Sequence, residues 1–170
     1  MNEQQKFGRW MVIAAWLLLL LLLTLFFSQW LERQRNPNQQ LSVTTDLQGG
    51  SAVVLKRNRA GHYVAPGKIN GVAVNYLLDT GATFVAVSAE LAQKADLRKG
   101  LPSQSQTANG LVRTWLTEID RLELGPITMR NVKATILPNM PDREVLLGMS
   151  FLKHLRLEQQ GDELAISIPE

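Results

Sequence analysis

Apolar residues divide the chain into a continuous N-terminal block and a longer region of short apolar segments. No charged residue occurs from Trp10 to Leu31, and residues 17–23 are all leucine. At about 1.5 Å of rise per residue, a helix over this block is long enough to cross the roughly 30 Å hydrocarbon layer of a bilayer. The pattern therefore predicts a transmembrane helix over residues 10–31, preceded by a short flank at residues 1–9.

A cleaved signal peptide is the alternative for this block, because the block is N-terminal and follows Lys6 and Arg9. Its apolar part is longer than the usual stretch of about 7 to 15 residues, and the sequence LFFSQW offers no small-x-small cleavage site. An uncleaved anchor is therefore favoured. Arg33 and Arg35 nearly balance the two basic residues that precede the helix, and the terminal amine tips the N-terminus towards the cytoplasm. We expect the rest of the chain on the other side.

The pattern changes twice after the anchor. Residues 32–50 are polar, contain Pro37 and the Gly49-Gly50 pair, and show no sustained apolar period, which predicts a flexible tether. From about Ser51, short apolar segments alternate with turn signals, and this is typical of an all-β domain. Residues 51–170 are numerous enough to enclose one compact core.

Within this domain, Asn70-Gly71 separates two β-prone runs and predicts a two-residue hairpin turn. Residues 72–78 then alternate as a strand that leads into Asp79. Leu77 and Leu78 are both apolar, so we expect Asp79 to begin a turn inside the protein rather than at its rim. Further on, Ser88 is the predicted N-cap of one short helix, residues 99–110 form a polar loop that turns into a hairpin, and the remaining segments are strands.

Charge and composition exclude several functions. The residues through Arg35 hold four basic and two acidic side chains, so they account for +2 of the net charge of +3 and leave about +1 for the remainder. A remainder so close to neutral lacks the excess of positive charge that binds nucleic acid. His62 and His154 lack metal-ligand spacing, and the chain contains no cysteine, so we expect no metal, no cofactor and no thiol nucleophile.

Asp79 is the remaining candidate for chemistry, because Asp-Thr-Gly directly follows the apolar strand. A single buried carboxylate without a partner is costly. Two carboxylates brought together can share one proton, so that one activates water while the other donates to a carbonyl oxygen. The chain supplies one such motif, and a two-fold homodimer would bring two identical copies face to face.

The sequence LLDTGATFV at residues 77–85, followed about sixty residues later by VLLGMSFL, resembles the retropepsin-like aspartic proteases, the retroviral protease family. The resemblance implies a retropepsin-like acid protease barrel and one catalytic Asp79 in each subunit of a homodimer. Thr80 would hydrogen-bond across the dimer axis, Gly81 would allow close backbone approach, and Thr83 could orient the outer carboxylate oxygen. The full set of implied supporting residues is Thr80, Gly81, Ala82, Thr83, Leu146, Leu147 and Gly148.

The same family covers its substrate with a Gly-containing hairpin called the flap. The sequence QTANGLV lies in the corresponding interval, so the resemblance implies a flap tip formed by Thr107, Ala108, Asn109 and Gly110. With the N-terminal helix, the chain is similar to a bacterial membrane-anchored branch of the family. This implies a single-pass protein of the bacterial inner membrane with a periplasmic protease domain. By analogy with the family, the terminal strand at residues 164–168 is a candidate dimer interface.

The resulting functional hypothesis is a membrane-anchored aspartic endopeptidase that acts on polypeptides as a homodimer. One alternative keeps the fold without the chemistry, as a non-catalytic module that binds an extended peptide or a protein partner by strand addition. A second alternative is a structural, membrane-tethered domain without a ligand.

Overall fold

The structure is a computed structural model that describes residues 3–45, 50–107, 110–141 and 144–169. The chain divides into two compact units, Met1–Arg35 and Asn36–Glu170. The first unit is helix α1, Glu3–Arg35, which contains the predicted transmembrane segment and extends beyond it at both ends. By length and composition, α1 is able to cross a membrane over Gly8–Arg35.

The second unit is built mainly from strands, as predicted. In the part of the chain that the structure describes, its elements are β1 Ser42–Thr45, β2 Ser51–Lys56, β3 Val64–Ile69, β4 Val72–Leu78, β5 Val85–Ser88, α2 Ala89–Lys94, β6 Pro102–Thr107, β7 Gly110–Leu124, β8 Ile127–Leu137, β9 Val145–Leu147, α3 Met149–Leu152, β10 Arg156–Gln160 and β11 Glu163–Ser167.

The predicted hairpin turn and the predicted helix cap are both confirmed. Asn70 and Gly71 both have positive φ and join β3 to β4, so that Ile69 faces Val72 across a two-residue hairpin. The Ser88 hydroxyl accepts a hydrogen bond from the Leu91 amide at 2.9 Å and caps α2. The structure adds the single helical turn α3, and it makes β6 a strand where the polar composition had predicted a loop, because β6 pairs along its whole length with β7.

Six strands close into a barrel in the order β3-β4-β9-β5-β8-β7, because Lys68 and Ile69 of β3 also pair with Glu123 and Leu122 of β7. The short strand β9 lies between β4, to which it is parallel, and β5, to which it is antiparallel. Residues of β5 are all buried, as expected for a strand enclosed on both faces. The predicted all-β barrel is therefore confirmed, and β9 is placed directly beside the strand that leads to Asp79.

Strand β6 extends the barrel sheet beside β7, and the other four strands form a second, antiparallel sheet in the order β1-β2-β11-β10. Strand β11 pairs with β2 on one side and with β10 on the other, and its residues Leu164 and Ile166 are buried in the core of the same chain. The strand at residues 164–168, a candidate dimer interface, therefore has both edges hydrogen-bonded within its own chain, and its role in a dimer stays a prediction. The outer edges of this sheet belong to β1 and β10.

The described part of residues 32–50 is ordered rather than the flexible tether that the composition predicts. Helix α1 continues to Arg35, Asn36 and Asn38 are buried, and residues 42–45 form β1 against β2. The polar composition was misleading because the two asparagine side chains satisfy backbone groups inside the domain instead of facing solvent. Residues 46–49 of this segment lie outside the described residues.

A buried tyrosine holds β3 against β4. The Tyr76 ring is fully buried, and its hydroxyl donates a hydrogen bond to the Lys68 carbonyl oxygen at 2.7 Å. Gly67 lies against the ring, where a Cβ atom would overlap with it. Burial, with a further contribution from the nearby Glu123 carboxylate, raises the pKa of Tyr76 far above its usual value. The side chain is therefore a neutral hydrogen-bond donor at ordinary pH.

The two tyrosines of the chain provide a matched test of this hydrogen bond. Replacing Tyr76 by Phe leaves the Lys68 carbonyl without its hydroxyl donor, and we expect the free energy of unfolding to fall by about 1–2 kcal/mol. The Tyr63 hydroxyl is also buried but has no hydrogen-bond partner among the described residues. Tyr63→Phe should therefore leave stability unchanged or raise it. Urea unfolding of both variants in detergent measures the difference, and equal losses would contradict the assignment.

Candidate active site

Asp79 directly follows β4 at the point where that strand pairs with β9. Leu78 lies opposite Leu147, and the Asp79 amide donates to the Leu147 carbonyl oxygen at 3.2 Å. The predicted position at the end of a strand is therefore what the structure shows. The predicted depth is wrong: Asp79 is half-buried, and Thr80 is exposed. Leu77, like Leu78, is only half-buried, so apolarity at two successive positions did not mean burial on both faces.

The turn after β4 orients the Asp79 carboxylate. The Gly81 amide donates to Asp79 Oδ1 at 2.8 Å, and the Ala82 amide approaches the Asp79 carbonyl oxygen at 3.3 Å. This is the local side-chain-to-backbone turn that aspartate favours. A Cβ atom on Gly81 would lie 3.1 Å from the same carboxylate oxygen, so glycine gives the amide room to approach. Across the described ranges, no basic side chain forms an ion pair with Asp79.

The second sequence motif supports this turn through backbone contacts. The Met149 amide donates to the Ala82 carbonyl oxygen at 2.8 Å, and the Ser150 amide donates to the Thr83 carbonyl oxygen at 2.9 Å. Gly148 lies between these segments, where an added Cβ atom would meet the Ala82 carbonyl oxygen at 2.7 Å and the backbone of Phe84 even more closely. The two motifs, distant in sequence, thus form one unit around Asp79.

Ser150 is a supporting residue that the sequence did not reveal. Its hydroxyl oxygen accepts a hydrogen bond from the Val85 amide at 2.9 Å, at the start of β5. A serine after Gly-Met offers no local signal for this role, because the contact joins residues 65 positions apart. Thr83 contributes its carbonyl oxygen to the support, whereas its side chain is exposed and forms no hydrogen bond with Asp79 in the structure.

The other implied supporting residues occupy different environments. Leu147 is fully buried in β9, and Leu146 is half-buried opposite Leu77. Ala82 is half-buried. Thr80, at the apex of the turn, is exposed. Asp79 therefore lies between the buried Leu147 of β9 and the exposed Thr80.

The hairpin β6–β7 carries two of the four residues predicted for the flap tip. Thr107 lies opposite Gly110, and the Thr107 hydroxyl donates to the Gly110 carbonyl oxygen at 2.8 Å. Gly110 has a φ of 105°, which favours glycine. The other two residues predicted for the flap tip, Ala108 and Asn109, lie outside the described residues.

A cavity of about 640 Å³ lies between this hairpin and the strand beside Asp79. Leu146 contributes to its floor and pairs with Leu77, two residues before Asp79. The full lining is Thr107, Val112, Leu137, Asn139, Met140, Pro141, Glu144 and Leu146. An elongated apolar ligand such as a peptide side chain would fit such a lining. Among the described residues, no cluster of three or more His, Cys, Asp or Glu side chains is able to hold a metal ion.

Comparison with known proteins identifies relatives over this same region. A family model described as "gag-polyprotein putative aspartyl protease" matches residues 65–154, which include Asp79 and Gly148. A protein of Sinorhizobium sp., described as an uncharacterized protein in the cobV 5′ region, is 30% identical over 179 residues, covering 98% of this chain and 77% of that protein.

Two solved structures are also similar. A retropepsin-like aspartic protease from Rickettsia conorii is 28% identical, with a TM-score of 0.57, and the match covers 67% of this chain and 97% of that one. The EIAV protease complexed with the inhibitor HBY-793 is 20% identical, with a TM-score of 0.46, and the match covers 58% of this chain and 92% of that one.

Substituting Gly148 tests the contact between the two motifs. In Gly148→Ala the added methyl group overlaps with backbone atoms of Ala82 and Phe84, which cannot move aside as a flexible side chain could. We expect a loss of about 1–3 kcal/mol in the free energy of unfolding, as for overpacked sites. Gly81→Ala is the matched control, since its Cβ would meet one carboxylate oxygen at an exposed turn. Urea unfolding that ranks Gly81→Ala as the less stable variant would contradict this interpretation.

Proposed function

Because the chain belongs to the gag-polyprotein aspartyl protease family, within the retropepsin-like fold, we propose that it is a membrane-anchored aspartic endopeptidase that hydrolyses polypeptides as a homodimer. One observation carries the proposal. The half-buried Asp79 accepts a hydrogen bond from the Gly81 amide at the end of β4, next to the strand whose Leu146 lines a cavity, and no basic side chain of the described ranges is paired with it. The carboxylate therefore remains available for proton transfer.

The proposed reaction uses two Asp79 side chains, one from each subunit, that share one proton. The ionised carboxylate accepts a proton from water as the water oxygen attacks the peptide carbonyl carbon, while the protonated one donates its proton to the carbonyl oxygen. The resulting tetrahedral intermediate then breaks its C–N bond, and a proton passes to the leaving amine. No covalent bond between enzyme and substrate is needed, and no cofactor is proposed.

The exposed surface beside Asp79 supports the requirement for a second subunit. A two-fold axis next to Thr80 would bring the two turns together and allow the two threonine side chains to hydrogen-bond across it. The carbonyl oxygens of Ala82 and Thr83 are occupied by Met149 and Ser150, so each turn would enter the dimer already ordered. Confinement to a membrane would raise the effective concentration of subunits and favour the dimer.

The hairpin β6–β7 is proposed as the flap, with its tip at Thr107, Ala108, Asn109 and Gly110. The cavity beneath it, which includes Val112 and Met140, would then receive part of an extended substrate. Helix α1 would be the anchor, with the protease domain on the periplasmic side of a bacterial inner membrane. This orientation rests on the charges that flank the helix and on the resemblance to the membrane-anchored branch.

A peptide-binding module without catalysis is the second candidate. It is favoured by one observation: the described lining of the cavity does not include Asp79. A single chain could therefore hold an apolar segment while its lone carboxylate took no part in chemistry. This candidate predicts peptide binding that does not depend on Asp79.

Asp79→Asn tests the catalytic role. The amide cannot act as a base, so incubation of the full chain with a peptide library from acidic to neutral pH should show cleavage by the parent and none above background by the variant. Cleavage should follow a bell-shaped pH dependence, because the pair needs one protonated and one ionised carboxylate. Asp120→Asn, at an exposed strand position, is the control and should match the parent. Cleavage by Asp79→Asn at the parent's rate would refute the assignment.

Mixing subunits tests the shared site. Parent and Asp79→Asn chains are combined one to one in detergent, allowed to exchange, and reconstituted at constant total protein. If both carboxylates are required, only dimers of two parent chains are active, and about one quarter of the all-parent activity should remain. Independent monomers would retain about half. A result near half would therefore contradict the homodimeric site even if Asp79 proved essential.

A further inference from the structure

The chain that follows α1 is held against the domain by two buried asparagines. Asn38 is 5% exposed, its Nδ2 donates to the carbonyl oxygens of Lys56 at 2.9 Å and Val64 at 2.8 Å, and its Oδ1 accepts from the Lys56 amide at 2.7 Å. Asn36 is 8% exposed, and its Oδ1 accepts from the Asn38 amide at 2.9 Å. We refer to Asn36 and Asn38 as the asparagine clasp.

The clasp connects this segment to both sheets of the domain. Lys56 is the last residue of β2, in the four-stranded sheet, and Val64 is the first residue of β3, in the barrel. The side-chain nitrogen of Asn36, Nδ2, also donates to Asn75 Oδ1 at 3.5 Å. Release of Asn38 would leave the Lys56 and Val64 carbonyl oxygens and the Lys56 amide without their hydrogen-bond partner. Unpaired polar groups of the backbone are destabilising when they are buried. The segment is therefore part of the domain and not a free linker.

The clasp shortens the free chain that connects α1 to the folded domain. The helix ends at Arg35 and the domain begins at Asn36. The four residues after Leu31 raise the chain by at most about 6 Å above the apolar block. A domain of this length has a radius of gyration near 14 Å and a diameter on the order of 40 Å. A free tether over residues 32–50 would instead add up to roughly 60 Å of extended chain.

We propose that the asparagine clasp confines this protease to peptide bonds within about one domain diameter of the bilayer, so that its substrates are the juxtamembrane segments of other membrane-attached polypeptides. The inference rests on the proposed function, since it assumes that α1 spans a membrane and that Asp79 is catalytic. It adds a substrate class, which follows from the distance that the domain can reach from the bilayer. Two partners fixed in the same membrane also meet at a high effective concentration, but only if their reactive segments lie at the same height.

The reach is tested with substrates of graded height. A peptide cleaved in an Asp79-dependent manner is fused to a transmembrane helix through helical (EAAAK) spacers of about 20 or 55 residues, which place it about 30 or 80 Å from the bilayer. The full-length chain is reconstituted with each substrate in phosphatidylcholine–phosphatidylglycerol vesicles. The parent should cleave the short-spacer substrate at least about tenfold faster than the long-spacer one. The same peptide free in solution reports catalysis independently of reach.

Three variants connect the result to the clasp. Asn38→Ala should raise the relative rate on the long-spacer substrate, because residues 36–41 become free and add up to roughly 20 Å of chain. A Gly/Ser insertion of about 20 residues after Arg35 leaves the clasp intact and should nearly abolish the height dependence. Asn58→Ala is the matched control, since the Asn58 side chain accepts from the Ala60 and His62 amides within its own exposed turn, and it should behave as the parent.

The outcomes separate the two proposals. Equal cleavage of both spacers by the parent, or an insertion variant that keeps the parent's height dependence, would overturn the confinement while leaving the proposed function intact. Failure of the parent to cleave the free peptide would count against the proposed function instead. Circular dichroism of Asn38→Ala shows whether that variant is folded, and the insertion variant decides the matter if it is not.

A second measurement is independent of catalysis. The chain has no cysteine, so Leu101→Cys, at a position 74% exposed, provides a single site for a fluorophore. Energy transfer to acceptor-labelled lipid headgroups should give a narrow distance distribution in the parent, and a broader distribution at longer distance in the Asn38→Ala and insertion variants. Identical distributions in the parent and in the insertion variant would refute confinement even if no peptide were cleaved.

Discussion

The position of Asp79 depends on the close contact between two backbone segments that are far apart in sequence. The turn after β4 and the segment that begins at Gly148 approach so closely that no side chain fits between them, and the amides of Met149 and Ser150 fill the space with hydrogen bonds. Backbone contacts of this kind hold a functional group more rigidly than contacts between flexible side chains. The barrel provides the frame, because β9 runs between β4 and β5 and brings Gly148 to the turn.

This frame leaves one side of the Asp79 turn open to solvent. The core side of the Asp79 turn is ordered, whereas Thr80 and Gly81 at its apex are exposed. Such an arrangement gives a carboxylate a fixed direction while leaving its environment open to change when another surface covers it. Electrostatic interactions strengthen as water is removed, so a surface that covered this apex would strengthen the interactions of the carboxylate.

The sequence predicted the parts of the fold that follow from local pattern. The alternation in residues 72–78, the Asn70-Gly71 turn and the Ser88 cap each depend on neighbouring residues, and each has the expected form. The errors have a common origin in distant contacts. The depth of Asp79, the burial of Asn38 and the pairing of β11 are decided by residues far along the chain, which local hydrophobicity does not report. Ser150 was missed for the same reason, since its partner Val85 lies in another strand.

The pairing of β2 with β11 also determines when this protein is able to fold. Lys56 lies opposite Glu163, roughly one hundred residues later in the chain, and β1 depends on β2 for its own pairing. The four-stranded sheet is therefore incomplete until β11 has been synthesised, long after β1 and β2. Contacts between distant residues slow folding and leave strand edges open in the meantime. Until β11 is present, the edge of β2 that it covers stays open, and the sheet that holds β1 is completed only after every strand of the barrel has been made.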